Sequence, residues 1–443
     1  MPSPASLRIL VARAASVVAL LAPVIAYAAT TYEAAPHNYR RVLAALRAGD
    51  TLVLAAGEYR NGLPLHNLAG EPDRPITITG PADGPPATFV ANAERNTVSI
   101  VDSQHVVVKN LVLDGRDIPV DAVKAEGHAR YAHHITLENL VIRGHGNNQQ
   151  TVGISTKCPA WNWVIRGNTI VSAGTGMYFG DSDGSAPFVA GVIEGNLIVD
   201  TIGYNLQIKH QHRRPEIDGL PAEGASLTVI RRNVFANAAG GSTEAPRPNV
   251  LVGHFPPEGS GLDDRYVIYG NFFYANRFEA LLQAEGNVAL YNNLFVNPYG
   301  DAIHIQPHND VPKRIDIAFN TVLAERVGIS VLTSEGSRPY RQSLVANAVF
   351  AAVPLVGGTQ VGNFSATLAE AERYLMRPFA TPGELDLAPR AQLTSADANP
   401  PNPARLTGWD RDFNGRLRKP GSIGAYADAG TNPGWRPALS LMP

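Results

Sequence analysis

Apolar and polar residues alternate for four or five positions, an asparagine interrupts, and a second short apolar run follows. The segments HVVVKNLVL, HITLENLVI, WVIRGNTIV, GVIEGNLIV, TVIRRNVFA, YVIYGNFFY, VALYNNLFV, IDIAFNTVL and SLVANAVFA give nine copies of this form. Their asparagines are Asn110, Asn139, Asn168, Asn196, Asn233, Asn271, Asn293, Asn320 and Asn347, spaced by 29, 29, 28, 37, 38, 22, 27 and 27 residues. Alternation at period two predicts strands, because successive strand side chains point to opposite faces. Asn suits the bend between two strands, since its side chain bonds locally and it tolerates left-handed backbone. A helical repeat would need apolar residues at i, i+3, i+4 and i+7. Leucine does not dominate fixed positions, and no Gly-His to Trp-Asp signature recurs, which excludes leucine-rich repeats and propeller blades. The pattern therefore predicts an all-β chain wound as a right-handed parallel β-helix, with the Asn column forming stacked amides and turns.

The ends differ from the array. Residues 1–28 place Arg8 and Arg13 before an apolar run and close on Ala26-Tyr27-Ala28, the form of a cleaved secretory signal peptide. Residues 29–49 read as a capping segment, with helical spacing over 37–47, covering a first coil that would otherwise present apolar side chains and strand edges to water. The β-helix is expected over 50–360. Residues 361–443 begin with the amphipathic SATLAEAERYLM, expected as a helix, and continue as a Pro-, Gly- and Asn-rich extended tail that resembles the endings of many secreted β-helix proteins.

Composition narrows the partners. With 37 basic and 39 acidic residues the net charge is −2, so no global nucleic-acid footprint exists. No stretch after the leader is long and apolar enough to span a bilayer. Cys158 is the sole cysteine, expected to be an inert small residue, so the chain relies on its stacked core rather than on disulfides. These features predict a periplasmic or secreted bacterial monomer.

After each Asn turn a further short strand follows: VGISTK, TGMYFGD, NLQIKH, NVLVGH, EALLQA, DAIHIQPH and VGISVLT. Alternation sends Ile154, Met177, Phe179, Leu206, Ile208, Val250, Val252, Leu282, Ile303 and Ile305 inward. Ser155, Lys157, Tyr178, Gln207, Lys209, Leu251, Gln283, His304 and Gln306 then face outward on coils stacked about 4.8 Å apart. The richest stretch is 205–214, which crowds Lys209, His210, His212, Arg213 and Arg214 where the first long insertion begins. His254, His304 and His308 follow on later coils. A local concentration of cationic and titratable groups on a nearly neutral chain points to an anionic ligand. Asp181-Ser182-Asp183-Gly184 makes Asp181 and Asp183 candidate calcium ligands. The twelve-residue calcium loop is absent, and an Asx turn closed by Gly184 accounts for the same residues.

The repeat architecture, the opening LVLAAGEY with PITITG, and the LQIKHQ strand resemble secreted β-helix polysaccharide lyases of the alginate lyase and chondroitinase B family. Those enzymes carry a Glu-x-Ile-Ser-x-Lys-Ser strand whose Lys is the base, and one coil later an Arg-His-Gly strand. Lys209 matches that Lys, Leu206 stands for the Ile, Gln207 for the Ser, and His254 for the His. The chain departs at two places, with Tyr204 in the Glu position and Gly253 in the Arg position. Arg213, Arg214 or His254 is the expected substitute for the missing Arg, and calcium is a possible rather than a required cofactor.

The resemblance implies β-elimination on an anionic, uronic-acid-containing polysaccharide. That reaction needs the carboxylate neutralised, the C5 proton removed and the departing oxygen protonated. Lys209, expected to have its pKa lowered by Arg213, Arg214 and His210, serves as base, with Tyr178 or a histidine as acid. Lys157, Gln207, His210, His212, Arg214, His304, Gln306 and His308 are the expected substrate-binding residues, and Arg213 assists catalysis. Three alternatives stand beside this reading. A glycoside hydrolase would need facing carboxylates, an epimerase would show an Asp-Pro-His type motif, and a glycan-binding solenoid would keep the basic face without a positioned base.

Overall fold

The computed structural model describes residues 28–127, 131–402 and 405–443. The leader read at 1–28 lies outside them except for Ala28. Three parallel sheets of 15, 12 and 11 strands run the length of the molecule, taking one strand per coil in chain order except that the first also holds the short strands Ala160–Trp161 and Phe188–Val189 off its main path. This is the expected right-handed parallel β-helix. In one coil Val164–Arg166 lies in the first sheet, Thr169–Val171 in the second and Thr175–Phe179 in the third; the next coil repeats this with Val192–Glu194, Leu197–Val199 and Leu206–Ile208.

Alternation decides what is buried. Ile165, Ile170, Met177, Phe179, Ile193, Ile198, Leu206 and Ile208 are wholly buried and belong to one apolar column along the axis. The first sheet already begins with Thr31–Ala34, paired to Thr51–Leu54, inside the segment read as a cap. Within that segment the helix is only Tyr39–Leu43, where Tyr39 packs edge-on to Tyr59 and Phe89 and closes the end of the core. At the other end, strands continue to Phe364–Ala366, and SATLAEAERYLM forms a short 3-10 turn and the four-residue helix Ala371–Tyr374. The tail then covers the outside of the coil. Leu385, Leu387, Trp409, Ile423 and Tyr426 bury outward-facing Val234, Phe272, Leu294 and Leu323, which explains why those strands are apolar on both faces.

The Asn column is a ladder, but with a register the repeat alone did not show. From Asn168 through Asn347 each side-chain Nδ2 and each backbone N–H donates to Oδ1 of the next ladder asparagine, over 2.9 to 3.0 Å. The ladder ends at Asn363, one rung beyond the nine copies. Left-handed backbone belongs to the preceding position, occupied by Gly167, Gly195, Arg232, Gly270, Asn292, Phe319, Ala346 and Gly362. Asn110 and Asn139 occupy that left-handed position themselves, with φ of 57° and 52°, so they sit one residue out of the ladder. Leu140 takes the rung instead and donates its N–H to Asn168.

This distinction predicts opposite outcomes for one substitution. Asn271→Gly should cost about 3 kcal/mol or more, because it leaves the buried Asn233 N–H and amide without an acceptor. Asn139→Gly, exposed and in a backbone region glycine prefers, should change stability by less than about 0.5 kcal/mol. Urea unfolding midpoints check both.

Candidate functional site

The third sheet lines up one outward column as Lys124, Ser155, Tyr178, Gln207, Leu251, Gln283 and His304. Where the strands end, the register carries on to place Lys157, Gly180 and Lys209 on consecutive coils. Gly180 has φ of 94°, and a Cβ there would lie 3.2 Å from the Lys209 Cβ. The space beside Gly180 is taken up by the Ala186 carbonyl, 2.9 Å from such a Cβ, and by the Lys209 stem. Tyr178 lies on the middle strand, on the coil between the two lysines.

Lys157 places Nζ 3.7 Å from the centre of the Tyr178 ring and 3.7 Å from the Asp181 carboxylate. Burial lowers its pKa, an effect that Asp181 and Asp121 oppose and Lys124 reinforces. Tyr178 is pushed up by burial, so it stays protonated at neutral pH, and its hydroxyl lies 3.0 Å from Ser182 Oγ. These groups face a cleft of about 430 Å³ lined also by Arg95, Asp121 and Lys124. Asp121, half-buried, accepts hydrogen bonds from Val152 N–H and Ser155 Oγ, and burial raises its pKa.

Lys209 is half-buried, and among the described residues its Nζ has no hydrogen-bond or ion-pair partner. Its pKa is lowered chiefly by burial; Glu285 opposes this and Arg247 adds to it. The cause therefore differs from the expected one. Arg247, on the insertion at 238–249 between the second and third sheets, supplies the neighbouring charge rather than Arg213 or Arg214. Neither Arg247 nor Asp121 was singled out in the sequence, because each reaches the site from a loop far from the LQIKH strand.

The remaining expected residues are dispersed. Arg214 is buried and ion-paired with Asp264, and its Nη1 donates to Pro221 O at 2.8 Å, so its charge is held away from the strand face. Arg213 is exposed in a separate cleft of about 740 Å³ between inserted loops, shared with Glu216, Asp218 and Glu258. Its mixed charge gives that cleft no preference for anions. His210 is buried, with its pKa lowered to about 4 by burial and by Lys209, His254, His212 and His308. His254 is also buried, and its Nδ1 donates to Phe255 O at 2.7 Å. Gln207 is 5% exposed, whereas His212 and His308 are exposed. His304 lies 3.3 Å from Asp301, and Gln306 is half-buried on the continuation of its strand. Glu285, another residue missed, accepts backbone N–H bonds from His254, His308, Asn309 and Asp310, and so ties two loops together.

Asp183 is exposed and accepts both the N–H and the hydroxyl of Ser185, forming the Asx turn, while Asp181 faces Lys157. The two calcium candidates are thus used locally. Among the described residues, the group of imidazoles and carboxylates close enough to hold a metal ion is instead His105, His133 and His134, on the first sheet. Burial and the neighbouring imidazoles hold the His133 pKa down to about 4 and lower that of His134, and burial alone lowers that of His105. Cys158 is buried, its thiol pushed up to about 12, and is inert as expected.

No family model matches the chain, and no curated protein matches it. Solved structures similar to it include an alginate lyase from Paenibacillus sp. str. FPU-7, with 16% identity, a TM-score of 0.41, and 75% of this chain and 99% of that one covered. A mannuronic-acid-specific polysaccharide family 6 lyase from human gut microbiota gives 14% identity and a TM-score of 0.43, covering 74% and 81%. The GH136 lacto-N-biosidase from Eubacterium ramulus gives 12% and 0.44, covering 76% and 51%. Likeness at this level assigns neither a family nor an activity.

The two arginines of the insertion should separate cleanly. Asp264→Ala should destabilise the protein by about 3 to 5 kcal/mol by stranding the buried Arg214 charge. Arg213→Ala, fully at the surface, should stay within about 0.5 kcal/mol, as thermal and urea unfolding would show.

Proposed function

We propose that this protein is an exported, monomeric polysaccharide lyase that cleaves an anionic, uronic-acid-containing glycan by β-elimination. One observation carries the reading: two lysines with burial-lowered pKa values stand on the coils either side of Gly180, with a protonated tyrosine on the coil between them. Its export rests on the leader read in the sequence. Among the described residues no helix is long and apolar enough to cross a membrane.

In this reading the glycan lies along the solenoid axis over the third sheet. Lys157, with Lys124 and Arg95 in the same cleft, neutralises the uronate carboxylate and makes the C5 proton more acidic. Lys209 removes that proton. It suits the role better than Lys157, which is ion-paired with Asp181, whereas Glu285 acts on Lys209 without an ion pair. As the C4–C5 double bond forms and the C4–O bond breaks, Tyr178 gives its proton to the leaving oxygen. In the same reading Arg247, whose charge helps to lower the Lys209 pKa, holds a neighbouring uronate.

Hydrolysis is the second reading, favoured by Asp121, a carboxyl with raised pKa that faces the same cleft as Lys157 and Tyr178. The product separates the two, since only elimination creates an unsaturated uronide.

Alginate, pectate, glucuronan, hyaluronan and chondroitin, offered to the purified protein, should include one that yields the unsaturated absorbance; its absence with all five would sink the lyase reading. Lys209→Ala should lower that rate by about 100-fold or more with polymer binding retained, and Tyr178→Phe should lower kcat by a similar factor with little change in KM.

The pH profile carries a sign. A base must be unprotonated, so kcat/KM should rise with pH through a value below the ordinary lysine pKa of 10.5. An acid must be protonated, so it should fall only above the ordinary tyrosine value of 10.0. A Tyr178→Phe enzyme that kept the falling limb unchanged would remove Tyr178 from the role.

A further inference from the structure

On the first sheet, well outside the chemistry described above, two successive coils carry histidine at the same unusual backbone position. His133 pairs with Gln104 and Ile135 with Val106, which sets His134 opposite His105. Both have left-handed backbone, with φ of 49° for His105 and 53° for His134. Asn162 and Ala190 take the same conformation on the next two coils, at 55° and 53°. The left-handed kink is thus architectural, repeated coil after coil. What distinguishes the first two copies is the side chain, since a left-handed residue is ordinarily Gly or Asn.

The left-handed kink turns His105 and His134 to one side, where their rings stack at 4.2 Å with an angle of 25°. His133, the adjacent residue, brings Nδ1 to within 2.7 Å of His134 Nδ1. Its ring lies flat on the buried Trp161 indole, 4.3 Å away and 10° from parallel, which fixes its plane. One nitrogen of each of the three imidazoles falls within 4.8 Å of the others, and all three rings are half-buried.

We propose that His105, His133 and His134 form a binding site for a divalent transition-metal ion of the zinc class. Three neutral imidazoles suit zinc, copper or nickel, and leave a position for water on the solvent side. Calcium does not fit, because it takes oxygen ligands. Tetrahedral zinc with bonds of about 2.0 to 2.1 Å separates its nitrogens by about 3.3 Å. The Nδ1 atoms of His133 and His134 therefore move apart by about 0.6 Å, and the proton between them passes to Nε2 of the ring that donated it, so both imidazoles stay neutral. Asn162 completes the arrangement. Its amide lies 3.0 Å from His134 Nε2, and a rotated amide accepts the Nε2–H that a metal on Nδ1 requires. A bound ion would join two coils through strands Gln104–Lys109 and Ala132–Glu138.

The test uses the full mature chain, with zinc chloride in calorimetry and cobalt(II) as a visible-absorbing probe. One equivalent of zinc should bind and raise the unfolding temperature, calcium in thousandfold excess should not displace it, and cobalt should give the visible bands of a low-coordinate nitrogen site. His105→Asn and His134→Asn keep a side chain that tolerates left-handed backbone, so the fold is retained while an imidazole is lost. Each should weaken zinc binding at least tenfold. His212→Ala, exposed in the separate cluster with His210 and His254, should leave it unchanged. Absence of stoichiometric zinc binding by the wild-type chain, unchanged affinity in both Asn variants, or loss in His212→Ala would each overturn the proposal.

Discussion

Everything in this molecule depends on coils stacking in one register. Each strand donates to and accepts from its neighbours above and below, so a one-residue slip in any coil would send its apolar set to solvent. Backbone pairing alone does not forbid such a slip. The asparagine ladder does, because every rung from Asn168 to Asn347 places two donors on the Oδ1 of the next rung in a buried corner where no water can substitute. An unpaired buried amide is expensive, so the ladder holds the corner between the first two sheets at one geometry.

That rigid corner positions the third sheet. With the register settled, Lys157, Gly180 and Lys209 fall on successive coils, and a residue without a side chain separates two amines whose ionisation is disfavoured by burial. The proposed chemistry draws on side chains that are distant in the chain but a strand's width apart in space. Loops then complete it, Arg247 from one insertion and Asp121 from an earlier coil. The inserted segment with the most basic sequence does not contribute in proportion. Its Arg214 neutralises Asp264 inside the loop, where the pair holds the insertion in shape.

Periodic features were legible and aperiodic ones were not. The strands, the inward set and the outward column follow from alternation, and the buried Ile208 and Val252 and half-buried Lys209 agree with it. Asn110 and Asn139 share the spacing of the ladder yet stand one position away from it, because both the rung and the left-handed site accept asparagine for different reasons. Helical spacing over 37–47 exceeded the five-residue helix that forms, since the chain there needs only to lay Tyr39 and Leu43 over the end of the core. The histidine cluster was present in two of the nine copies, at the head of HVVVKN and HITLEN. It could have been noticed by asking why the same column twice holds histidine.

The sequence by itself determined the winding of the chain, the side of the sheet on which each strand residue lies, and the place of the insertions, because these follow from a period of two and a repeat length. Tertiary structure alone decided which charges meet. Whether an arginine faces a cleft or a buried aspartate 50 residues away depends on how loops without a period fold over one another. Likewise, whether three histidines converge depends on left-handed backbone residues that leave no mark in hydrophobic alternation.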